Sequence, residues 1–496
     1  MSLTKATYSM ISGAVGNVLD YGADPTGVAN STAAFNAALA ANNSVFVPAG
    51  TYAVKNITGI RSGSELFGVG DASILKLTDR TADSHVLDIN HNTFNTVYTG
   101  VYVHDLQLQG SAATPVFEEQ CHLIAMTGVT NGIFERIKFF AFCGDGFYIG
   151  SGDGAVEHHN NSITVRDCVF DGVNKENRNG ISVIDCNDLL VDNCYFVNTT
   201  KSTMPGAIDI EPDGNLYHVV KNITVSNSRF FNIGGNFATI GVLLAIDFDT
   251  APTGFYFINN YMEQCNTGFS FRYDKVGGVT ESTNSFGFNV VSNTVKNCNS
   301  PFRVFNVKDC SIINNQFNVV SDAALVSYNT ANDNAIDVVI SNNLFYKVGS
   351  VEGSGLIVYT ATRVTITGNE FNDCGVGTVG LSNAINFNTG TSSSVTISNN
   401  NFVTPNGTTL VAIQKEAGHT FTPVNNIRSQ NRFSGLTTNF DWRIGDPIYG
   451  SAVPTTGAWI VNDRVFNSAP AAGQPEGWVC TVAGTPGTWK AMANLV

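Results

Sequence analysis

The chain has 496 residues, a net charge of −14 and only 13% charged residues. This length exceeds what one compact core usually supports, which favours a solenoid that grows by adding repeats. The acidic balance disfavours nucleic acid as a partner, because phosphate backbones would be repelled. No apolar run reaches the roughly 18 residues of a membrane span, so we expect no membrane insertion. No secretory signal is recognisable, which indicates synthesis in a cytoplasm.

The N-terminal part predicts a linker followed by a capping element. Residues 1–17 are small and polar, and we expect a linker or anchor there. The block Val18–Gly27 comes next, and Ser31 can then begin a short helix that extends to about Ala41. A helix at this point would cover the open end of a solenoid, which otherwise exposes its core and strand edges.

From about residue 100 a repeat dominates the sequence. Its unit is a β-branched strand, an Asn-Asn pair or a substitute, one further residue and a large apolar residue. Turn chemistry and strand composition together predict one solenoid coil per copy. The apolar column reads Phe140, Phe170, Phe196, Phe230, Met262, Val295, Phe317, Phe345, Phe371, Phe402 and Phe433.

Two positions before this column lies a polar column that is mostly asparagine. We expect its side chains to satisfy the backbone groups of the turns and the turns to use left-handed residues. Three positions after the column lie Cys143, Cys265, Cys298 and Cys374, which we interpret as small buried thiols. The asparagine-rich column reads Cys168, Cys194, Ser228, Asn260, Asn293, Asn315, Asn343, Asn369, Asn400 and Asn431.

The strand after each repeat unit alternates inward apolar residues with outward ones. We align Ile181/Val183, Ile208/Ile210, Ile246/Phe248 and Phe269/Phe271 as inward pairs. Neighbouring coils lie about 4.8 Å apart, so this alignment stacks Asp209 on Asp247 and Glu211 on Asp249. One outward column then runs Ser182, Asp209, Asp247, Ser270, Arg303, and the other Ile184, Glu211, Asp249, Arg272, Phe305.

Such a block of four carboxylates predicts a catalytic site. Glycoside hydrolysis needs one protonated and one ionised carboxyl group at the scissile bond, and crowding raises the pKa of the acid. A pair across neighbouring coils would suit a retaining mechanism, whereas a pair along one strand leaves room for a water molecule and favours inversion. The structural alternative is an acidic surface neutralised by Arg272 or a calcium site that joins the coils. No other cofactor is indicated.

The competing chemistry is β-elimination from a uronic acid, in which the acids would hold calcium and a basic residue would remove the proton. Arg272, Arg303 and Lys275 are the candidates for that base. We also expect the neighbouring loops and outward positions to contact substrate. The predicted substrate-binding residues are Arg272, Arg303, Tyr273, His218, Tyr328 and Tyr359.

The last part of the chain departs from the repeat. Three of the four tryptophans, Trp459, Trp478 and Trp489, lie among proline- and glycine-rich turns, so residues 436–496 predict a small all-β module. Tryptophans in such a module either stack on sugar rings or fill a small core, and the core is the favoured interpretation.

The Val18–Gly27 block, the laddered coils and the C-terminal module resemble phage tailspike depolymerases of the pectate-lyase-like superfamily. The resemblance implies an all-β fold: a right-handed parallel β-helix of roughly 11–13 coils over residues 18–435. It also implies a virion homotrimer that binds and cuts a bacterial surface polysaccharide and attaches to a phage tail or baseplate protein through its N-terminus. A non-catalytic receptor-binding spike is the further alternative. The family has no invariant catalytic motif, so the site residues rest on the stacking argument.

Overall fold

The computed structural model of the chain describes residues 15–91, 96–152, 158–212, 215–244, 248–274, 285–327, 334–375, 382–404, 411–421, 427–434, 438–440, 448–456, 459 and 461–496. Within these residues the chain forms a right-handed parallel β-helix, as predicted, in which each strand pairs in parallel with its counterpart in the next coil. Predicted site residues Asp247 and Tyr328, and the alternative base Lys275, lie outside the described residues.

Thirteen of the described strands form one sheet, here called face 1. Each coil contributes one short strand whose alternate residues point into the core. The strands of face 1 are Leu87–Ile89, Ile124–Met126, Phe147–Ile149, Ile181–Val183, Ile208–Ile210, Ile240–Leu244, Thr267–Tyr273, Ser300–Phe305, Ala324–Val326, Ser354–Val358, Asn383–Phe387, Val411–Lys415 and Thr438–Phe440.

A second sheet of 31 described strands covers the rest of the solenoid. In each repeat coil it bends at the asparagine-rich turn; face 2 is the strand before that turn, such as Val220–Ser226, and face 3 is the strand after it, such as Arg229–Phe231. Its strands are Gly16–Asn17, Thr26–Asn30, Ser44–Phe46, Gly50–Val54, Glu65–Phe67, Ser73–Leu77, Tyr98–Thr99, Tyr102–Gln109, Val129–Phe140, Asn161–Arg166, Val169–Asp171, Cys186–Asp192, Tyr195–Val197, Val220–Ser226, Arg229–Phe231, Thr253–Ile258, Tyr261–Glu263, Phe288–Val291, Thr294–Lys296, Lys308–Ile313, Gln316–Val320, Ala335–Ser341, Leu344–Val348, Ala361–Thr367, Glu370–Asn372, Gly390–Ser393, Thr396–Ser398, Asn401–Val403, His419–Phe421, Ile427–Ser429 and Arg432–Ser434.

The N-terminal helix, α1, spans Thr32–Ala41 and buries Phe35 and Leu39 against the first coil. Ser31 precedes it, but its Oγ accepts from the backbone N–H of Asp24 (2.9 Å) instead of capping the helix. Two short 3₁₀ helices occupy Val18–Tyr21 and Gly70–Ala72. No helix in the described part of the chain is both long and apolar enough to cross a membrane.

The apolar column is confirmed from Phe170 to Phe433, with one correction at its start. Phe139, not Phe140, pairs with Phe170, and its ring stacks on the Phe170 ring at 4.3 Å. Further along, Phe371 stacks on Phe402 at 5.1 Å. All ten cysteines are free and buried, which agrees with their interpretation as core thiols.

The asparagine column forms a continuous hydrogen-bonded ladder. The backbone N–H of Asn293 donates to Asn315 Oδ1 (2.8 Å), and that of Asn315 donates to Asn343 Oδ1 (2.8 Å). The left-handed conformation belongs to the residue before each ladder position, for example Asn314 with φ of 58°. The two neighbouring positions therefore have different functions. The first adopts the left-handed conformation of the turn, and the second forms hydrogen bonds with backbone groups.

The register of face 1 confirms three of the four aligned pairs and corrects one. Ile208 pairs with Ile240, Asp209 with Gly241 and Ile210 with Val242. The inward pair of that coil is thus Ile240/Val242, and not Ile246/Phe248. Ile240 pairs in turn with Phe269 and Gly241 with Ser270.

The outward positions of face 2 form two columns whose registers are set by the same pairing. Each residue of the first column pairs with the residue at the same position in the next coil. The first three residues of the second column are charged. The first column is Ile133, Thr164, Leu190, Thr224, Tyr256, Asn289, Ser311, Val339, Thr365 and Thr396, and the second is Glu135, Arg166, Asp192, Ser226, Ile258, Val291, Ile313, Ser341, Thr367 and Ser398.

The C-terminal strands Ile448–Gly450, Arg464–Asn467, Gly477–Val482 and Thr488–Ala491 form a separate four-stranded sheet. Trp459 and Trp478 are buried in its small core, and the ring of Trp489 meets that of Trp459 edge-on at 4.5 Å. Their packing follows the favoured interpretation of these tryptophans as core residues.

Candidate active site

Asp209 lies at the centre of face 1, on the outward side of the strand Ile208–Ile210. Ser182 lies beside it in the preceding coil and Gly241 in the following coil. Although the residue points away from the core, its exposed fraction is only 2%. Its Oδ1 is buried without a hydrogen-bond partner. Asp209 is therefore a covered carboxyl group on the outer surface of the sheet.

Arg178 and Asn179 lie in the turn before the preceding strand and contact Ser182, the neighbour of Asp209. Arg178 Nη1 donates to Ser182 Oγ at 3.0 Å. The amide nitrogen of Asn179 donates to the Gly206 carbonyl at 2.8 Å, and its oxygen accepts from Ser182 Oγ at 2.9 Å. These contacts fix the turn against the strand that carries Asp209.

A second buried acid, Asp145, anchors Arg178. Arg178 Nη1 lies 3.0 Å from Asp145 Oδ2, and the backbone N–H of Asn179 donates to Asp145 Oδ1 at 3.0 Å. The Asp145 carboxylate raises the pKa of Arg178, so this guanidinium stays charged. The backbone N–H of Asp145 donates to Nδ1 of buried His122 at 3.0 Å, and burial holds the pKa of His122 well below its usual value. His122 is therefore neutral.

Several effects act on the protonation of Asp209. Burial raises its pKa well above 3.8, the charge of the Glu211 carboxyl group raises it further, and Arg178 opposes both without reversing them. Glu211 is half-buried and follows the strand by one residue, with its backbone N–H donating to the Val183 carbonyl at 3.2 Å. Burial beside a second acid therefore disfavours the charged form of Asp209.

The apolar side of this environment comes from Phe237. A Cβ atom built on Gly241 would lie 2.6 Å from Cδ1 of the Phe237 ring. The absence of a side chain at Gly241 thus lets the ring lie over the sheet, one coil from Asp209. An aromatic ring beside a carboxyl group excludes water and disfavours its charged form.

The predicted block of four stacked acids is wrong. Asp209 pairs with Gly241, so the register that the predicted stack requires is not formed. Asp249 is exposed, and its backbone N–H donates to the Leu216 carbonyl at 2.9 Å. Arg272 does not cap the acids either, since its Nε pairs with Asp274 and its strand neighbours are Leu243 and Phe305.

The predicted substrate-binding residues have different surroundings. Arg272 is half exposed, and Arg303 and Tyr359 are half-buried on the outer side of face 1. Arg303 pairs with Ser270, three coils from Asp209 on the same column, and its Nε has no hydrogen-bond acceptor in the described structure. His218 and Tyr273 are buried, with exposed fractions of 1% and 3%. Contrary to the prediction, neither presents an exposed ring to a sugar.

Sequence reasoning missed Asp145, Arg178, His122 and Glu119. Glu119 is half exposed and lies 3.5 Å from Arg178 Nε, so it belongs to the same surface. A signal for one of them existed: Asp145 stands two residues before Phe147, as Asn179 stands two residues before its strand partner Ile181. Extending the outward columns into the preceding turn would have placed Asp145 beside Asn179, next to Arg178.

Metal ligation finds no support in the described part of the chain. No group of three or more His, Cys, Asp or Glu side chains there is arranged to hold a metal ion. The acidic block that suggested calcium is not formed by the observed register. His158 and His159 are adjacent in the sequence, and His159 Nδ1 lies 2.8 Å from the buried carboxylate of Asp185.

Comparison with protein families gives one match. The family model described as rhamnogalacturonase A/epimerase, pectate lyase-like, matches residues 15–303, more than half of the chain. The chain belongs to this family. The matched range of this pectate lyase-like protein includes α1 and the coils that carry Asp145, Arg178 and Asp209. No curated protein matches its sequence significantly.

Solved structures with the same fold come from several sources. The A-module of mannuronan C-5 epimerase AlgE6 from Azotobacter vinelandii is 16% identical, with 86% of this chain and 99% of that chain covered and a TM-score of 0.42. The bacteriophage Phi29 gene product 12 N-terminal fragment is 14% identical, with 83% and 71% covered and a TM-score of 0.53. Tailspike protein gp49 of Acinetobacter baumannii bacteriophage Fri1, a capsular polysaccharide depolymerase, is 16% identical, with 73% and 60% covered and a TM-score of 0.48. At 14% identity the similarity to the Phi29 fragment shows the fold alone.

Proposed function

We propose that this pectate lyase-like protein is a homotrimeric phage tailspike that depolymerises a bacterial surface polysaccharide by hydrolysing glycosidic bonds at Asp209 and Glu211. The observation that carries the proposal is the buried carboxyl group of Asp209, whose pKa is raised by burial and by the neighbouring charge of Glu211. Hydrolysis of a glycosidic bond needs an acid that is still protonated near neutral pH, and such an environment supplies one.

The two residues have different parts in this proposal. Glu211 is half-buried and is the member of the pair that a sugar chain can reach, while Asp209 behind it stores the proton. When the bond between the anomeric carbon and the glycosidic oxygen breaks, the pair delivers one proton to the leaving oxygen through Glu211. Asp209 is left as a carboxylate, whose charge the nearby Arg178 stabilises.

A separate carboxylate is needed to accept the proton of the attacking water. In this proposal Asp209 and Glu211 deliver the proton as one unit, so neither is free for this task. Glu119, beside Arg178, and Asp249, beside the loop that follows Glu211, are the described candidates. A base distinct from the acid pair leaves room for water, so inversion remains the expected stereochemistry.

The test is cleavage of a panel of purified capsular and O-antigen polysaccharides, with products analysed by mass spectrometry. On the polysaccharide that the wild type cuts, we expect Asp209→Asn and Glu211→Gln to lose 10²–10⁴-fold in rate. Glu370→Gln, a half-buried acid on face 3, is the matched control and should keep full activity. Full activity in both site variants would exclude this site. If both variants lose activity, Glu119→Gln and Asp249→Asn would show which of the two candidate bases the reaction uses.

Elimination is the second candidate function, because one observation favours an acidic substrate. The Nε of Arg303 lacks an acceptor in the described structure and lies on the same outward column as Asp209, so it could pair with a uronate carboxylate. Products at the hydrolytic mass support hydrolysis, whereas products 18 mass units lighter, with an unsaturated uronate, support elimination. A tightly bound polysaccharide whose length stays unchanged would indicate a non-catalytic receptor-binding spike.

A further inference from the structure

Face 3 carries a depression formed by two tyrosines and an arginine. Tyr195, Arg229 and Tyr261 occupy the same strand position in three consecutive coils, so they form one outward column. Together with Phe231 they line a depression of about 340 Å³, a volume in the range of small-ligand sites. We call these four residues the tyrosine–arginine site. Arg229 belongs to the coil that carries Asp209 but lies on another face, so the site is separate from the candidate active site.

The aromatic side chains of this site are accessible to a ligand. Tyr195 and Tyr261 are 38% and 36% exposed, and Phe231 is half-buried. Two inter-coil steps of about 4.8 Å separate the tyrosines, so their backbones lie about 10 Å apart with Arg229 between them. Tyrosine offers a large contact area with few rotatable bonds, which suits a binding surface.

The guanidinium group of Arg229 is exposed, and no acidic side chain in the described ranges pairs with it. The exposed guanidinium group of Arg363, by contrast, pairs with Asp337. A guanidinium group carries several N–H donors in a planar arrangement that matches a carboxylate. Arg229 therefore keeps this donor set available for an anion from outside the chain.

A second cation lies close to the same strand. Lys175 Nζ donates to Oδ1 of Asn232, the residue that follows Phe231, at 2.9 Å. The neighbouring acid on face 3, Glu263, accepts a hydrogen bond from Tyr261 Oη at 2.8 Å and an ion pair from Lys296 Nζ at 3.1 Å, so its charge is compensated. In a chain with a net charge of −14 such a local excess of positive charge favours an anionic ligand at this place.

We infer that the tyrosine–arginine site is a second glycan-binding site, which holds a carboxylate-bearing sugar unit of a polysaccharide. Arg229 binds the carboxylate, and the tyrosine rings pack against the apolar faces of the sugar units on either side of it. Because Glu263 is already paired, the site is suited to binding and not to cleavage. The inference goes beyond the proposed hydrolysis and does not depend on it, since binding here requires no reaction.

Binding of the full-length protein to acidic polysaccharides tests the inference. The probes are purified capsular polysaccharides whose repeat contains a uronic acid, and the same polymers with their carboxyl groups reduced to alcohols. Asp209→Asn serves as the background, so that the probes stay uncut during the measurement. We expect binding to an acidic polymer, weaker binding to its reduced form, and a dissociation constant raised roughly 10–100-fold by Arg229→Gln, as for the loss of a hydrogen-bonded charged group.

The matched control is Arg432→Gln. Arg432 is an exposed arginine further along the same outward column, where its neighbour in the preceding coil is Asn401 and not a tyrosine. This variant has the same change in charge and should keep the affinity of the background protein, whereas Tyr195→Ala combined with Tyr261→Ala should lose roughly 10-fold or more. No binding to any acidic probe, equal affinity in Arg229→Gln and Arg432→Gln, or equal binding to reduced polymers would overturn the inference.

A local measurement covers the case in which a variant at the site fails to fold. Because all ten native cysteines are buried, Thr294→Cys adds one accessible thiol beside Tyr261, and Asn401→Cys adds one further along the same column. Saturating acidic polysaccharide should slow maleimide labelling of Thr294→Cys at least 5-fold and leave that of Asn401→Cys unchanged. Unchanged labelling of both variants would contradict binding at the tyrosine–arginine site.

Two outcomes separate this inference from the proposed cleavage. A protein that cuts no polysaccharide but loses affinity through Arg229→Gln supports the second site and rejects the activity. If Arg229→Gln, in an otherwise wild-type chain, abolishes cleavage as completely as Glu211→Gln does, Arg229 serves the reaction itself, and the inference of a separate binding site is wrong.

Discussion

Asp209 lies directly beside Gly241 in the next coil, and the ring of Phe237 occupies the space that a side chain at Gly241 would fill. We infer that this ring also shields the neighbouring carboxyl group, which is buried although it lies on the outer side of the sheet. A larger residue at the glycine position would push the ring away and admit water to the acid.

Replacing Gly241 by alanine tests this cause. The new Cβ atom would lie 2.6 Å from the Phe237 ring, so the ring must move. We expect a destabilisation of about 1–3 kcal/mol and a lower pKa for Asp209, because its desolvation is relieved. Thermal unfolding followed at several pH values measures both effects.

The control for this substitution is Ser270→Ala, in the next coil of the same column. Ser270 is buried and its Oγ has no hydrogen-bond partner in the described structure, so the change should be neutral or slightly stabilising. An alanine at position 241 that leaves both stability and pH dependence unchanged would show that Phe237 does not shield Asp209.

Asp209→Asn should make the folded protein more stable at neutral pH. The raised pKa means that the folded state keeps a proton that the unfolded state loses above pH 3.8. Stability therefore falls as pH rises from 3.8 to the pKa of the folded state, by about 1.4 kcal/mol for every pH unit between the two values. The asparagine variant lacks this loss.

Denaturant unfolding of both proteins measures this difference. The advantage of Asp209→Asn should be present at pH 8 and should vanish below pH 3.8, where Asp209 is protonated in both states of the wild type. A variant that is less stable than the wild type at pH 8 would indicate that Asp209 is ionised in the fold and stabilised by Arg178.

Glu135 should show the opposite dependence. Burial alone would raise its pKa, but hydrogen bonds from Tyr102, Arg166 and Arg136 outweigh burial and lower the pKa to about 2. Its contribution is therefore present above 4.5, the ordinary glutamate value, and is lost as pH falls through about 2. We expect Glu135→Gln to cost about 1–2 kcal/mol at pH 7, at the low end because both arginines are about half exposed to screening solvent.

Chemical unfolding between pH 2 and pH 7 checks this prediction. The gap between wild type and Glu135→Gln should narrow steadily below pH 4.5. A gap that stays constant down to pH 2 would show that the charge on Glu135 does not stabilise the fold.

Two adjacent positions at the asparagine ladder should differ in how well they tolerate substitution. Asn315 Oδ1 accepts from the backbone of Asn293 (2.8 Å), and its Nδ2 donates to the Val290 carbonyl (2.9 Å) in a buried turn. Asn315→Ala leaves these groups unpaired, and we expect a loss of about 2–4 kcal/mol. Asn314→Gly should change stability by less than about 0.5 kcal/mol, since glycine adopts its positive φ freely. Equal losses in the two variants by thermal unfolding would contradict these separate functions.

The ladder and the apolar column could be predicted from the sequence because each coil repeats the same local unit. Asn315 and Phe317 hold their spacing whatever the loops between them do, since turn geometry and ring stacking are decided within a few residues. Even there the first copy was misplaced by one residue, because Phe139 and Phe140 are adjacent aromatics and either can begin the column.

The register of the strand Ile240–Leu244 could not be predicted by the same means. Apolar residues alternate without interruption from Ile240 through Phe248, so a shift by an even number of residues satisfies the inward pattern equally well. The length of the turn after Phe230 decides among these registers, and turn lengths vary from coil to coil. The resemblance of residues 245–249 to residues 207–211 therefore suggested a stack that the fold does not make.

Asp209 was identified from the sequence, but its partners were not. Arg178 and Asp145 lie in turns of earlier coils and act on Asp209 through their charges, and their positions depend on how the turns fold back over the sheet. The pattern of alternating residues carries no information about that path. The position of the Phe237 ring against Gly241, next to Asp209, is likewise not contained in the strand pattern.

The protonation state of Asp209 is the most direct test of the proposed site. The measurement is the isotope-edited infrared difference spectrum at pH 7 between wild type and Asp209→Asn, each with ¹³C-labelled aspartate carboxyl groups. We expect a carbonyl band of one protonated carboxylic acid in the wild type that is missing from the variant. A spectrum in which the only lost band is that of an ionised carboxylate would contradict the assignment of Asp209 as the stored acid.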